Sequence, residues 1–285
     1  MPFILSVSRQ RVLSILIAFF LFYTPFSLAE YTDISAENGA IRLHYSNEVA
    51  SSCDVIVLGV GTAMGADAYD RLSSALNGYG YLVAILDHNP GNIVKTDSER
   101  YLALASELKS TAQTWLNGTG CESVDHWVMG GHSAGGQAAQ NAIAQNRWLA
   151  DAIFSVDPYD ASVTEEVFIP ALYWGFSFTS CFVTREDAAE EAYRRSNDKR
   201  AFFQVQEQFS WGPCGYAPEY FHCSFCDNGC PGCTNCRRTP AHFFDDVAAS
   251  VNKFINAAFY SDWSKAALTI NAETPIELYV DQEMP

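Results

Sequence analysis

The stretch that most limits how this chain can fold is Val128-Met129-Gly130-Gly131-His132-Ser133-Ala134-Gly135-Gly136. Its centre, Gly131 to Gly135, has the pattern G-x-S-x-G, in which a serine stands on a sharp turn between a strand and a helix. Such a turn holds the serine backbone in a strained conformation. Side chains two positions before or after it would clash, so small residues belong there. The flanks make the pattern informative. Val124 to Met129 reads as a short buried strand, and Ala134 to Trp148, rich in Ala and Gln and without proline, reads as a helix.

The rest of the chain repeats this alternation of strand and helix. Ala40 to Ser46 alternates as an outer strand does, and Asp54 to Val60 is an apolar run suited to a central strand buried on both faces. The run opens into a small-residue loop, Gly61 to Ala66. Helices are expected over Ala68–Leu76 and over Ser98–Leu116, the second with Ser98 as N-cap and Asn117-Gly118 as its stop. Tyr81–Leu86, Ala152–Val156 and Ile169–Phe176 read as further buried strands. Glu186–Lys199 reads as a charged surface helix, and the alternation over Phe202–Phe209 predicts a last strand near the sheet edge. An amphipathic final helix follows His242, over Phe243–Tyr260, and the tail from Ser261 has no clear period. The expectation is a three-layer α/β fold with a mostly parallel central sheet, forming one domain over residues 30–285.

Residues 1–29 fall outside that domain. Arg9 and Arg11 precede an apolar run from Val12 to Tyr23, and Ser27-Leu28-Ala29 is a small-x-small site. This is the layout of a signal peptide cut after Ala29, and the run is short for a membrane span. The expected mature protein is therefore exported, to the periplasm or the medium, without an integral span. Removal of Arg9 and Arg11 takes the basic count from 17 to 15 against 33 acidic residues, a net charge of −18. So acidic a chain is a poor partner for nucleic acid.

All nine cysteines lie in the part expected to be exported, where disulfides are permitted. Cys53, Cys121 and Cys181 are scattered, whereas Cys214, Cys223, Cys226, Cys230, Cys233 and Cys236 crowd into an insertion over 210–239. Their spacings also suit zinc or an iron–sulfur cluster. Six local cysteines in an exported chain favour disulfides over metal, so no metal and no cofactor is expected. Standing between the last strand and His242, the insertion is expected to rim the site as a stiffened flap. Trp211, Tyr216, Tyr220, Phe221 and Phe225 would then line an apolar pocket.

A serine hydroxyl needs a base to take its proton and an acid to orient that base. In α/β-hydrolases both follow the nucleophile in chain order. His222 and His242 are the two histidines after Ser133, and His242, just ahead of a helix, is the expected base. His132 is expected to pack away from the serine. Asp157, where the strand after the elbow helix ends, is the expected acid, with Asp160 as the fallback. The oxyanion donors are expected to be the backbone N–H groups of Thr62 and Ala134.

At these residues the chain resembles the chlorophyllase-like α/β-hydrolases. Gly131-His132-Ser133-Ala134-Gly135-Gly136, Ser155-Val156-Asp157-Pro158-Tyr159-Asp160 and Ala241-His242-Phe243-Phe244-Asp245-Asp246 look like the three triad motifs of that group. An Asp-Pro acid at this position is also seen in the pancreatic-lipase branch. The likeness runs from about Asp54 to Tyr260 and implies metal-free hydrolysis of carboxylic esters. It departs at Val60, where the family has a histidine, at Ala134, where plant chlorophyllases have arginine, and at Ala241, where the family has glycine. The reaction is therefore expected and the pigment substrate is not. The expected substrate is a small-molecule or lipid-like ester. The competing readings are a lipase or polyester (cutinase-like) hydrolase, a binding protein on a hydrolase scaffold, and a cysteine cluster that holds metal.

Overall fold

The computed structural model describes residues 30–46, 52–88, 97–159, 166–177, 188–206, 208–212, 215–227 and 239–281. The expected signal peptide, Asp160, Cys181, Cys214, Cys230, Cys233 and Cys236 lie outside them. In chain order the elements are β1 (Glu30–Ala36), β2 (Gly39–Tyr45), β3 (Cys53–Gly59), α1 (Asp70–Asn77), β4 (Leu82–Asp87), α2 (Ser98–Ser110), α3 (Ala112–Trp115) and β5 (Val124–His132). They continue with α4 (Ala134–Gln145), β6 (Ala152–Val156), β7 (Ala171–Phe176), α5 (Ala188–Arg194), β8 (Arg200–Val205), β9 (Phe209–Gly212), β10 (Gly215–Pro218), α6 (Ala241–Ile255), α7 (Lys265–Leu268) and β11 (Ile276–Asp281).

Nine strands form one sheet in the order β1-β2-β4-β3-β5-β6-β7-β8-β11. The pairs from β4 through β8 are parallel, while β1, β2 and β11 join antiparallel at the margins. The central strands are apolar over most of their length because both faces are covered. Ile56, Leu58, Val128, Phe154 and Trp174 face a core shared with Leu72 and Leu76 of α1 and with Phe243, Val247 and Phe254 of α6. Val55, Val57, Met129, Ile153 and Tyr173 face a second core with Leu104 and Leu108 of α2, Ala138 and Ala142 of α4, and Ala192 of α5. This is the α/β architecture with a mostly parallel sheet that the alternation of runs predicts.

Three details differ from expectation. The helix over 98–116 breaks at Thr111, whose hydroxyl donates to Glu107 O at 2.8 Å and competes with the helical ladder. Its cap is Asp97, which accepts the Arg100 N–H at 2.9 Å, rather than Ser98. The strand at 200–205 lies near the sheet edge as expected but is not the last strand, because β11 pairs along its outer side from Ile276↔Val205 to Asp281↔Arg200.

Candidate active site

The carboxyl ends of β3, β5 and β6 lie side by side, with Gly59 paired to Gly131 and His132 paired to Val156. In open parallel sheets this end of the strands is where ligands gather. Ser133 stands there between β5 and α4, with φ 54° and ψ −123°, a conformation that L-residues adopt only where the surroundings impose it. Its N–H donates to Val156 O at 3.1 Å, and its carbonyl accepts from Gln137 N–H at 3.2 Å and Tyr159 N–H at 3.0 Å. The small flanking residues are a steric requirement. A Cβ on Gly131 would lie 2.6 Å from Gly59 O, and one on Gly135 would lie 2.2 Å from the same oxygen.

Asp157 ends β6 as expected. It is buried, takes φ 43°, and donates its N–H to Trp174 O at 2.7 Å. Its carboxylate Oδ2 accepts from Nδ1 of His222 at 2.6 Å. The expectation that His242 would meet this aspartate is corrected here. His242 lies on the first turn of α6, half-buried, where Nε2 meets the Tyr220 hydroxyl at 2.6 Å and Nδ1 lies 3.6 Å from Glu273. His222 is instead the first residue of a short 3-10 turn, His222–Phe225, buried throughout.

The aromatic residues around His222 explain its placement. Tyr220 and Phe225 belong to the core shared with α6, and Phe225 packs its ring 5.1 Å from Phe243 and 5.6 Å from Phe176. Tyr220, Phe221 and Phe225, expected to line an apolar pocket from a flap at the rim, are all buried, with Tyr220 and Phe225 packed into the core. They turn the chain inward and carry His222 to Asp157. The side chains of Trp211 and Tyr216 lie outside the description. The turn is also anchored on α1. Arg71 donates its backbone N–H to Asp227 at 2.9 Å and its guanidinium to Thr239 O at 3.1 Å, with the cation 4.4 Å above the Phe244 ring.

His132, expected to be packing only, takes part in a buried hydrogen-bonded chain. Its Nε2 lies 3.0 Å from the His222 carbonyl and its Nδ1 lies 3.0 Å from the Tyr69 hydroxyl, which in turn accepts the Gly61 N–H at 2.8 Å. Cys226 Sγ is 3.4 Å from the same Nδ1. Burial pushes His132 down to about 4, so it is neutral at ordinary pH. Burial also lowers His222, reinforced by His132 and opposed by the hydrogen bond and charge of Asp157.

Both expected oxyanion donors are near the serine. Ala134 begins α4, where the first N–H groups have no intrahelical partner. Gly61-Thr62-Ala63 forms a turn closed by Met64 N–H to Gly61 O at 3.1 Å, with Ala63 at φ 57°. A Cβ on Gly61 would lie 3.3 Å from the Ser133 Cβ, so the turn sits directly against the serine. The Thr62 N–H has no partner among the described residues. Ser133 and His222 share no hydrogen bond; such contacts often tighten only around substrate.

Cys53 and Cys121, scattered in sequence, form a disulfide with Cα atoms 6.1 Å apart. Cys223 and Cys226 are buried in the His222 turn. No group of three or more His, Cys, Asp or Glu side chains among the described residues is placed to hold a metal ion. Among those residues, too, no helix is long and apolar enough to cross a membrane. Compared with known proteins, the chain matches no protein-family model and no curated protein sequence.

Proposed function

We propose that the chain is a serine hydrolase that cleaves carboxylic esters through an acyl-enzyme, on a scaffold of the α/β-hydrolase type. The observation that carries this reading is the strained backbone of Ser133 beside a buried His222–Asp157 pair, at the carboxyl ends of adjacent parallel strands. The chain order of serine after β5, aspartate after β6 and histidine after β8 supports the scaffold. The likeness to chlorophyllase-like enzymes is kept for the nucleophile and acid motifs. The motif around His242 does not supply the base. Export through residues 1–29 belongs to the same proposal.

The hydrogen bond to Asp157 places the single proton of neutral His222 on Nδ1 and leaves Nε2 as the proton acceptor. Ser133 Oγ attacks the ester carbonyl as its proton passes to His222 Nε2. The N–H groups of Thr62 and Ala134 receive the oxyanion. Collapse of this intermediate breaks the bond to the alcohol oxygen, which takes the proton from His222 and departs. Water then attacks the acyl-serine, giving its proton to His222, and the acid leaves as Ser133 regains its proton. Asp157 stays ionised throughout and steadies the imidazolium.

The test is hydrolysis of p-nitrophenyl esters of two, four, eight and twelve carbons. Ser133→Ala and His222→Ala are each expected to lower kcat about a thousandfold or more, and His242→Ala to retain most activity. Full activity in Ser133→Ala would refute the reading. Loss in His242→Ala with activity kept in His222→Ala would reverse the assignment of the base. The chain-length profile separates small-ester from lipase or polyester chemistry.

A further inference from the structure

We infer that His132 is a positioning residue that holds the base-bearing turn and the oxyanion loop in one register with the nucleophile. The inference rests on the serine-hydrolase reading and goes beyond it, since G-x-S-x-G asks nothing of the residue at His132. Three separate segments meet on this imidazole. The His222 carbonyl can only accept, so Nε2 of His132 carries the proton and donates at 3.0 Å. Nδ1 must then accept, and it receives the Tyr69 O–H at 3.0 Å. The Tyr69 oxygen in turn accepts from the Gly61 N–H at 2.8 Å, one residue before the expected donor Thr62. Cys226 Sγ also approaches Nδ1, at 3.4 Å, and the imidazole and the Tyr69 side chain are almost wholly buried.

The consequence is geometric. His132 is covalently next to Ser133, is bonded to the backbone of His222, and reaches the oxyanion loop through Tyr69. Its ring also lies 4.5 Å from the His222 ring and 5.7 Å from that of Phe225. The spacing between nucleophile, base and oxyanion donor is therefore transmitted through one side chain. An apolar residue of similar size fills the same space and transmits none of it. A misplacement of about 1 Å at such a site can cost about a hundredfold in rate.

Three variants of the full chain test this on a short p-nitrophenyl ester, beside wild type and Ser133→Ala. His132→Leu is expected to lower kcat about fiftyfold with KM within about twofold. His132→Gln, whose amide can still donate to the His222 carbonyl, is expected to recover about a third to a half of that loss on a logarithmic scale. Tyr69→Phe, which removes only a hydroxyl, is expected to lower kcat about tenfold. Nitrogen NMR of labelled histidine is expected to show His132 with its proton on Nε2 at neutral pH. Unchanged kcat in folded His132→Leu and Tyr69→Phe, or a proton on Nδ1 of His132, would overturn the inference while leaving the serine chemistry intact. Wild-type activity that survives Ser133→Ala would instead remove the reading beneath it.

Discussion

At the scale of single residues, His222, the proposed base, is the group whose environment most shapes behaviour. Burial is the main influence on His222 and disfavours its charged form; neighbouring His132 adds to this, and Asp157 only partly offsets it. The neutral, proton-accepting form therefore persists to lower pH than in an ordinary imidazole. The acid limb of kcat/KM for a p-nitrophenyl ester is expected to have its midpoint below 6.5, since that parameter reports the free enzyme. A midpoint at or above 7 would contradict the burial argument. Ser133 and Asp157 were legible in the sequence because each is set by its place at a strand end, which apolar runs reveal. His222 was not, because it lies among cysteines that read as a disulfide-bonded insertion. The aromatic residues Tyr220, Phe221 and Phe225 on either side of it were the signal of burial. His242 stands in the first turn of α6 rather than ahead of it, and its partners are Tyr220 and Glu273.

At the scale of elements, the central strands and their helices follow from continuous apolar runs, whereas the margins do not. β1 is exposed over most of its length, so burial leaves no period to read. β11 alternates half-buried with exposed residues, Ile276, Leu278 and Val280 against Glu277, Tyr279 and Asp281, but only over six residues. Neither reveals its pairing partner, which is why β8 reads in the sequence as the last strand. The attachment of the His222 turn to α1 is equally invisible in sequence, because it depends on one side chain reaching across more than a hundred positions. Arg71 grips Thr239 O and covers Phe244. Arg71→Ala removes the hydrogen bond to Thr239 O, the ion pair with Asp227 at 3.8 Å and the stacked cation, while leaving the backbone bond to Asp227 in place. It is expected to cost about 1–2 kcal/mol in urea unfolding and to reduce kcat severalfold by loosening the turn. A stability change within about 0.3 kcal/mol and an unaltered kcat would show that the turn is held by its buried aromatic residues alone.

At the scale of the whole molecule, the disulfide and the buried histidines act on stability in different ways. Cys53–Cys121 closes a span of 68 residues at the amino-terminal end of β3, the end opposite Gly59 and the serine. Replacing both cysteines by serine is expected to lower Tm by about 5–15 °C, from about 2–4 kcal/mol of lost constraint, with kcat at 25 °C unchanged. The histidines make the protein acid-labile. Burial is the leading cause of depression at His44, His88, His132 and His222, and it takes His88 and His132 to about 4. Between about pH 6.5 and 4 the unfolded chain binds protons at these positions that the folded protein refuses, so stability falls as pH falls through that window. Linkage gives about 2 kcal/mol for each of His88 and His132 at pH 5 and about 3 kcal/mol at pH 4. The opposing effect is the strong negative charge, −16 at neutral pH, which diminishes toward the isoelectric point near 4.6 and relaxes self-repulsion. That relaxation is spread over exposed, solvent-screened groups, whereas the histidine terms are local and buried, so the histidines should prevail. Tm is expected to drop by about 10 °C from pH 7 to pH 5. His88→Leu, at a ring packed beside Gly59, should flatten the slope by about one proton. A Tm that rises or stays level over that range would show that charge relaxation outweighs the buried imidazoles.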